Sequence, residues 1–290
     1  MYLASLASVS LLIFLSFGAS AAPEINYLNF KKLDSKEFDS LANKVEQVTS
    51  MDLPQGLKVI EVEKDPQIAS ALYFDEVRLT KHDLVKPIFV HELAHILVHY
   101  HLNLDVSEIK DRYVLEKRIS STNYGSSEWD ELLKEFGPRY DPRGVSLFLE
   151  EVFGDLLASH IFNDPGVMDK LEVVKGFRNF DIDTKEEIAE RYYDPHYALQ
   201  PFGKYVFQNF LKSGKVEPSI IFRAFYELVK NETSDYVLFI ADKSKPLYFQ
   251  SPLVTKINGK LMFNEKNLNE YIEELKIKFD NLVNTGDSHL

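Results

Sequence analysis

Cysteine is absent from all 290 residues. No disulfide can brace this chain, and no cysteine is present to take a lipid at a processing site, so stability must come from the core and any bound metal. Positive charge is also scarce. Thirty-three Lys and Arg face 45 Asp and Glu, a net charge of −12. Neutralising nucleic-acid phosphates needs clustered basic residues, and basic groupings such as Lys31-Lys32 are short and flanked by acidic residues, so nucleic-acid binding is excluded. Long apolar runs are missing as well: beyond the N-terminal region no segment reaches the length of a membrane span. Internal repeats and low-complexity tracts are not seen. What remains is ordinary globular composition, with 45% hydrophobic and 27% charged residues, which excludes a disordered or fibrous chain. The length allows one large domain or two lobes around a cleft.

The N-terminus carries a short apolar run, Val9 to Phe17, followed by small residues. Ala19-Ser20-Ala21 fits the small-x-small rule for signal cleavage. The expectation is a signal peptide over 1–21 and a mature chain from Ala22, exported to a periplasm or the outside of the cell, with no stable membrane anchor after cleavage. Residues 2–8 hold no Lys or Arg, which departs from the usual charged start, and the competing reading is an apolar helix of the domain.

Residues 32–48 suit a helix with Leu33, Phe38, Leu41 and Val45 on one face. Leu57 to Val62 alternates as a strand, and Ala71 to Thr80 has the β-branched and aromatic content of a second. Pro87 fits the first turn of a helix running to about Leu102. The stretch 103–143 reads as a charged insertion with turns at Tyr124-Gly125-Ser126 and Gly137-Pro138. An apolar helix is predicted over 145–162, with further helices over 184–192, 198–211, 218–230 and 268–283. Asn267 with Glu270 is a capping signature for the last, and Asn258-Gly259 is a hairpin turn before it. Strands early and helices late predict an α+β fold, with 22–103 as an α/β lobe and 104–290 as a mainly helical lobe.

The chemistry centres on His91-Glu92-Leu93-Ala94-His95. Two histidines four residues apart share one helical face and can converge on one cation. Glu92 can then reach a water on that cation without being a ligand. The flanking residues are apolar nearly all round, which predicts a buried helix. Buried His-Glu-His needs a partner, and a metal supplies one.

A catalytic zinc site commonly has a third protein ligand, and two candidates present themselves. Glu151, followed four residues later by Asp155, lies on a second helix, where Glu151 binds the metal while Asp155 accepts the N–H of His91 or His95. Here the chain resembles the gluzincins, the thermolysin-like zinc peptidases, in which a His-Glu-x-x-His helix is completed by a Glu-x-x-x-Asp helix. Glu151 lies 56 positions after His95, a longer interval than in thermolysin, and 103–143 is read as an insertion lining the cleft. Glu150 is set aside, since the residue four on is Gly154, which cannot orient a histidine. The second candidate, His101, matches the third histidine of metzincins, but Val98 stands where those enzymes need a turn-forming glycine. Glu151 is preferred. His99 extends the same helical face as a packing or supporting group.

The resemblance implies a zincin-like fold, bound Zn2+, a peptide or protein substrate and hydrolysis with Glu92 as general base. It also implies a donor for the transition-state oxyanion from the segment after the Glu helix. By position His196 is the candidate, with Tyr193 and Tyr197 as competitors. The strand over 71–80 is a candidate edge for an extended substrate. Two other classes are weighed: a zinc-binding protein that kept the fold without turnover, and a metal scavenger or sensor using His82, His91, His95, His99 and His101. Intact Glu92 argues against the first, and the apolar setting of the histidines against the second.

Overall fold

The computed structural model describes residues 23–63, 69–72, 75–103, 114–115, 118, 121–123, 125–136, 139–141, 146–171, 178–182, 195–233, 236–239, 248–250, 254–257, 260–263 and 265–286. The fold is α+β and mostly helical. Its main sheet has the order β1-β2-β4-β3, from β1 (Ile25–Leu28), β2 (Leu57–Glu61), β3 (Ala69–Leu72) and β4 (Glu76–Leu79). The first three in space are parallel, with Ile25 opposite Leu57 and Lys58 opposite Glu76, while β3 runs antiparallel at the edge, Ala69 opposite Leu79. Alternation along β2 and β4 points Leu57, Val59, Val77 and Leu79 into the core, all fully buried. The single strand expected over 71–80 is therefore two strands, paired antiparallel with Leu72 opposite Glu76. A continuous β-rich stretch does not announce such a break by composition alone.

Helix α1 (Ser35–Thr49) connects β1 to β2. Asp34 caps it by accepting the Lys36 N–H at 3.0 Å, and Phe38, Ala42, Val45 and Thr49 form its buried stripe. Leu41 is only partly buried, and Leu33 lies before the helix rather than on its face. Glu61, at the end of β2, accepts the backbone N–H groups of Lys31, Lys32 and Leu33 at 2.7–3.2 Å, tying the entry to α1 onto the sheet.

Two helices form the centre. α2 (Val85–Leu102) is buried from Val85 through His99 except Lys86 and Glu92, and Asn103 in the left-handed region ends it. α4 (Ser146–Phe162) is apolar on nearly every described face, with Leu149, Phe153, Leu156, Leu157 and Ala158 fully buried. Between them lie α3 (Ser127–Phe136), whose Trp129 and Leu132 are buried, and a short strand β5 (Arg139–Asp141). The stretch read as a charged insertion thus holds regular structure, because an apolar residue every third or fourth position suffices for a helix when a neighbour covers it.

Further helices among the described residues close the core behind α4. They are the single turn α5 (Pro195–Ala198), α6 (Gln200–Val206) continuing as a π turn over Phe207–Leu211, α7 (Pro218–Glu232) and α8 (Glu265–Gly286). Phe153, Phe202, Phe225 and Phe279 form an edge-to-face and tilted cluster with centroids 5.5–6.0 Å apart. One continuous set of buried side chains runs from Phe38 to Val283. α8 begins at Glu265, so Asn267 lies inside the helix and is not its cap. Strands β8 (Val254–Ile257) and β9 (Lys260–Phe263) pair antiparallel with Ile257 opposite Lys260, while the expected turn at Asn258-Gly259 lies outside the described residues. β6 (Tyr236–Phe239) pairs with β5 and β7 (Tyr248–Gln250). The predicted signal segment and the helix over 184–192 lie outside the described residues. Among the described residues no helix is long and apolar enough to cross a membrane.

Candidate metal centre

α2 and α4 lie antiparallel. His91 faces Glu151 and Asp155, His95 faces Glu151 and Glu150, and His99 faces Glu150, so ascending numbers on one helix meet descending numbers on the other. The close approach needs Gly154: an ideal Cβ there would lie 2.5 Å from His91 Nδ1. Glycine in a helix costs stability, and here it makes room for an imidazole.

Three donor atoms meet between the helices. His91 Nε2 lies 3.1 Å from Glu151 Oε2 and 3.2 Å from His95 Nε2, and His95 Nε2 lies 3.5 Å from Glu151 Oε2. Donors held tetrahedrally at about 2.0–2.1 Å from one zinc ion are separated by about 3.3–3.4 Å. The triangle therefore has the size a small cation requires, and its composition, two imidazoles and a carboxylate, is a donor set such cations accept. His91, His95 and Glu151 form a group that could hold a metal ion.

Each histidine is held from behind by a carboxylate. Asp155 Oδ1 sits 2.9 Å from His91 Nδ1. Arg178, itself buried, clamps Asp155 through both Nε and Nη2, and its backbone N–H donates to Asp169 at 3.2 Å. Burial would raise the Asp155 pKa, but the Arg178 charge and the bonds from His91 and Arg178 hold it well below the usual carboxylate range. With Asp155 an anion, the Nδ1 proton of His91 belongs on that contact and the Nε2 lone pair faces the donor cluster. On the other side, Glu150 Oε2 lies 3.4 Å from His95 Nδ1 and 2.7 Å from His99 Nε2. Burial of Glu150 would raise its pKa, and the charge of His99 with bonds from His95 and His99 bring it down. Burial would lower the pKa of His95, yet the Glu151 charge and the bonds to Glu150 and Glu151 raise it well above its ordinary value. The cluster thus favours positive charge between its carboxylates.

The readings from sequence fare unevenly against this geometry. His91, His95 and Glu151 are brought together, and Asp155 meets His91. Glu150 lies outside the donor group and reaches His95 Nδ1 from behind, a supporting contact that the sequence reading does not include. His99 was read as a packing or supporting group and touches Glu150. Glu92 is half-buried on α2, close enough for its charge to act on His95. His101 is elsewhere, its Nε2 bonded to the Asp52 carbonyl at 2.9 Å, and His82 Nδ1 accepts the Leu84 N–H at the other end of α2. His196 falls in α5, which packs on α4; its side chain and that of Tyr193 lie outside the described residues, while Tyr197 is half-buried. Arg178 and Asp169 carried no local sequence signal, because they act through contacts 23 and 9 residues away in the chain.

The chain finds no match among protein-family models, curated proteins or solved structures.

Proposed function

We propose that this chain is an exported zinc peptidase of gluzincin type on a zincin-like fold. The observation that carries the reading is the triangle of His91 Nε2, His95 Nε2 and Glu151 Oε2 with Glu92 on the same helix, one residue past the first histidine. When bound, zinc supplies Lewis-acid polarisation of a carbonyl and acidifies water. Asp155 and Glu150 keep the two imidazoles in the tautomer whose Nε2 lone pairs face the cluster. The Glu92 carboxylate takes the proton of the attacking water as its oxygen bonds to the scissile carbonyl carbon. Glu92 then delivers that proton to the amine nitrogen as the C–N bond breaks. An extended peptide adds to the outer side of β3, the edge strand of the main sheet among the described residues, which packs beside α2. His196, on the turn packed against α4, is the proposed donor to the developing oxyanion.

The test combines metal content with turnover. One zinc per chain is expected for the parent and for His101→Ala, with zinc lost from Glu151→Ala. Hydrolysis of an unstructured protein should vanish in Glu92→Gln while zinc is retained. A parent that binds no zinc under metal-replete conditions would end the reading. A zinc-loaded parent with no turnover would end only its catalytic half. Export is checked by sequencing the mature N-terminus, expected at Ala22.

A further inference from the structure

The proposed reaction accounts for His91, His95, Glu151, Glu92, Asp155 and Glu150 but gives no role to His99, the second partner of Glu150. Glu150 is fully buried and His99 nearly so, at 0% and 8% exposure. A buried carboxylate with poor partners is costly, so its placement asks for a cause. Its Oε2 is shared between two imidazoles of one helix face, His99 Nε2 at 2.7 Å and His95 Nδ1 at 3.4 Å. The shorter contact is the anchor. Because α2 repeats its face every fourth residue, His99 stands one turn beyond His95, and the carboxylate bridges that turn from α4.

Resting on the zinc reading above, we propose that His99 is a positioning residue for the metal centre: through Glu150 it fixes the ring of His95, without touching the metal. His95 has Nε2 among the donor atoms and Nδ1 on Glu150. An N–H on Nδ1 directed at Glu150 leaves the Nε2 lone pair for the metal. Glu150 can hold that orientation only if its own carboxylate is pinned, and His99 does so from the side away from the cluster. The arrangement mirrors the one behind His91, where Asp155 is pinned by Arg178. Each imidazole of the cluster therefore rests on a carboxylate that rests on a second nitrogen donor.

The experiment measures zinc affinity by competition with a chromophoric chelator for the parent, His99→Phe and His99→Gln. Phenylalanine fills the space without a donor, and glutamine keeps an N–H for Glu150. The expected result is one zinc per chain in all three. Affinity should fall about 10- to 100-fold in His99→Phe and be largely restored in His99→Gln. The d–d spectrum of the cobalt-substituted parent should be kept by His99→Gln, showing that the ligand set is unchanged. Equal affinity in parent and His99→Phe would overturn the proposal while leaving the zinc site standing, and so would equal weakening in both variants. A parent without zinc would remove the site and this inference together. Should His99→Phe fail to fold, long-range 1H–15N spectra of the zinc-loaded parent decide: His95 must be protonated at Nδ1, and the Nε2–H tautomer overturns the proposal.

Discussion

An ideal Cβ at Gly154 would meet His91 Nδ1 at 2.5 Å and the adjacent ring carbons at 2.9 Å, so a methyl group there must displace either the ring or the helix. Gly154→Ala is expected to cost about 1–3 kcal/mol of stability through overpacking, against the gain alanine brings to an ordinary helix. It should also weaken zinc binding by about tenfold or more, because His91 loses its alignment with Asp155. Urea unfolding and chelator competition read the two effects; a stabilised variant with parental affinity would show that the contact does not constrain the ring. This residue illustrates what sequence conveys at single positions. His91, His95 and Glu151 were legible because metal chemistry restricts residue type and helical spacing together. The contacts of Glu150 with His95 and His99 had no signal, because they join residues 55 and 51 positions apart in the chain. Gly154 had no signal of its own, since a glycine inside an apolar helix looks like a defect until the opposing ring is in place.

At the scale of elements, the α2–α4 pair owes its order to charges that neither helix satisfies alone. Arg178, from the segment after α4, clamps Asp155, and both are buried. Arg178→Met should cost about 3–5 kcal/mol, the penalty of an uncompensated buried charge, and adding Asp155→Asn should return part of it. A urea double-mutant cycle reads this, and additive losses would deny the coupling. The sheet makes a second case. Burial of Glu61 would raise its pKa, but the N–H groups of Lys32, Lys31 and Leu33 bring it below the ordinary value. A depressed carboxylate pKa stabilises the folded state fully above the unfolded value, about 4.3, and the contribution is lost as pH falls through the folded value. Glu61→Gln should therefore be less stable than the parent by about 1–3 kcal/mol at pH 7, with the gap closing as pH drops below about 4. A gap independent of pH would show that packing alone is responsible. Periodicity foretold α1, α2, α4 and α7 within a few residues, since burial of one stripe or of the whole surface leaves a mark in composition. It merged β3 with β4, because the reversal between them depends on pairing and not on residue type.

For the molecule as a whole, the donor cluster sits between α2 and α4, inside one core that also takes in α1, the main sheet, α7 and α8. A cation bound there is coupled to the elements of that core, because loss of the packing that holds α2 against α4 separates His91 from Glu151. A ligand that binds only the folded state stabilises it by mass action, about 2.7 kcal/mol when free zinc is a hundredfold above its dissociation constant. Chelation should accordingly lower the thermal midpoint of the entire transition. It should not create a separate early step confined to one region. Glu92→Gln is expected to show the full parental shift between chelated and zinc-replete protein, since Glu92 is outside the donor triangle. His91→Ala should show almost none, and its midpoint should fall near that of the chelated parent. Scanning calorimetry of the three proteins with and without chelator reads this directly. A Glu92→Gln variant that lost the shift would place that carboxylate among the ligands and count against its proposed role as general base. A parental shift retained in His91→Ala would mean the stabilising ion binds at another place in the molecule.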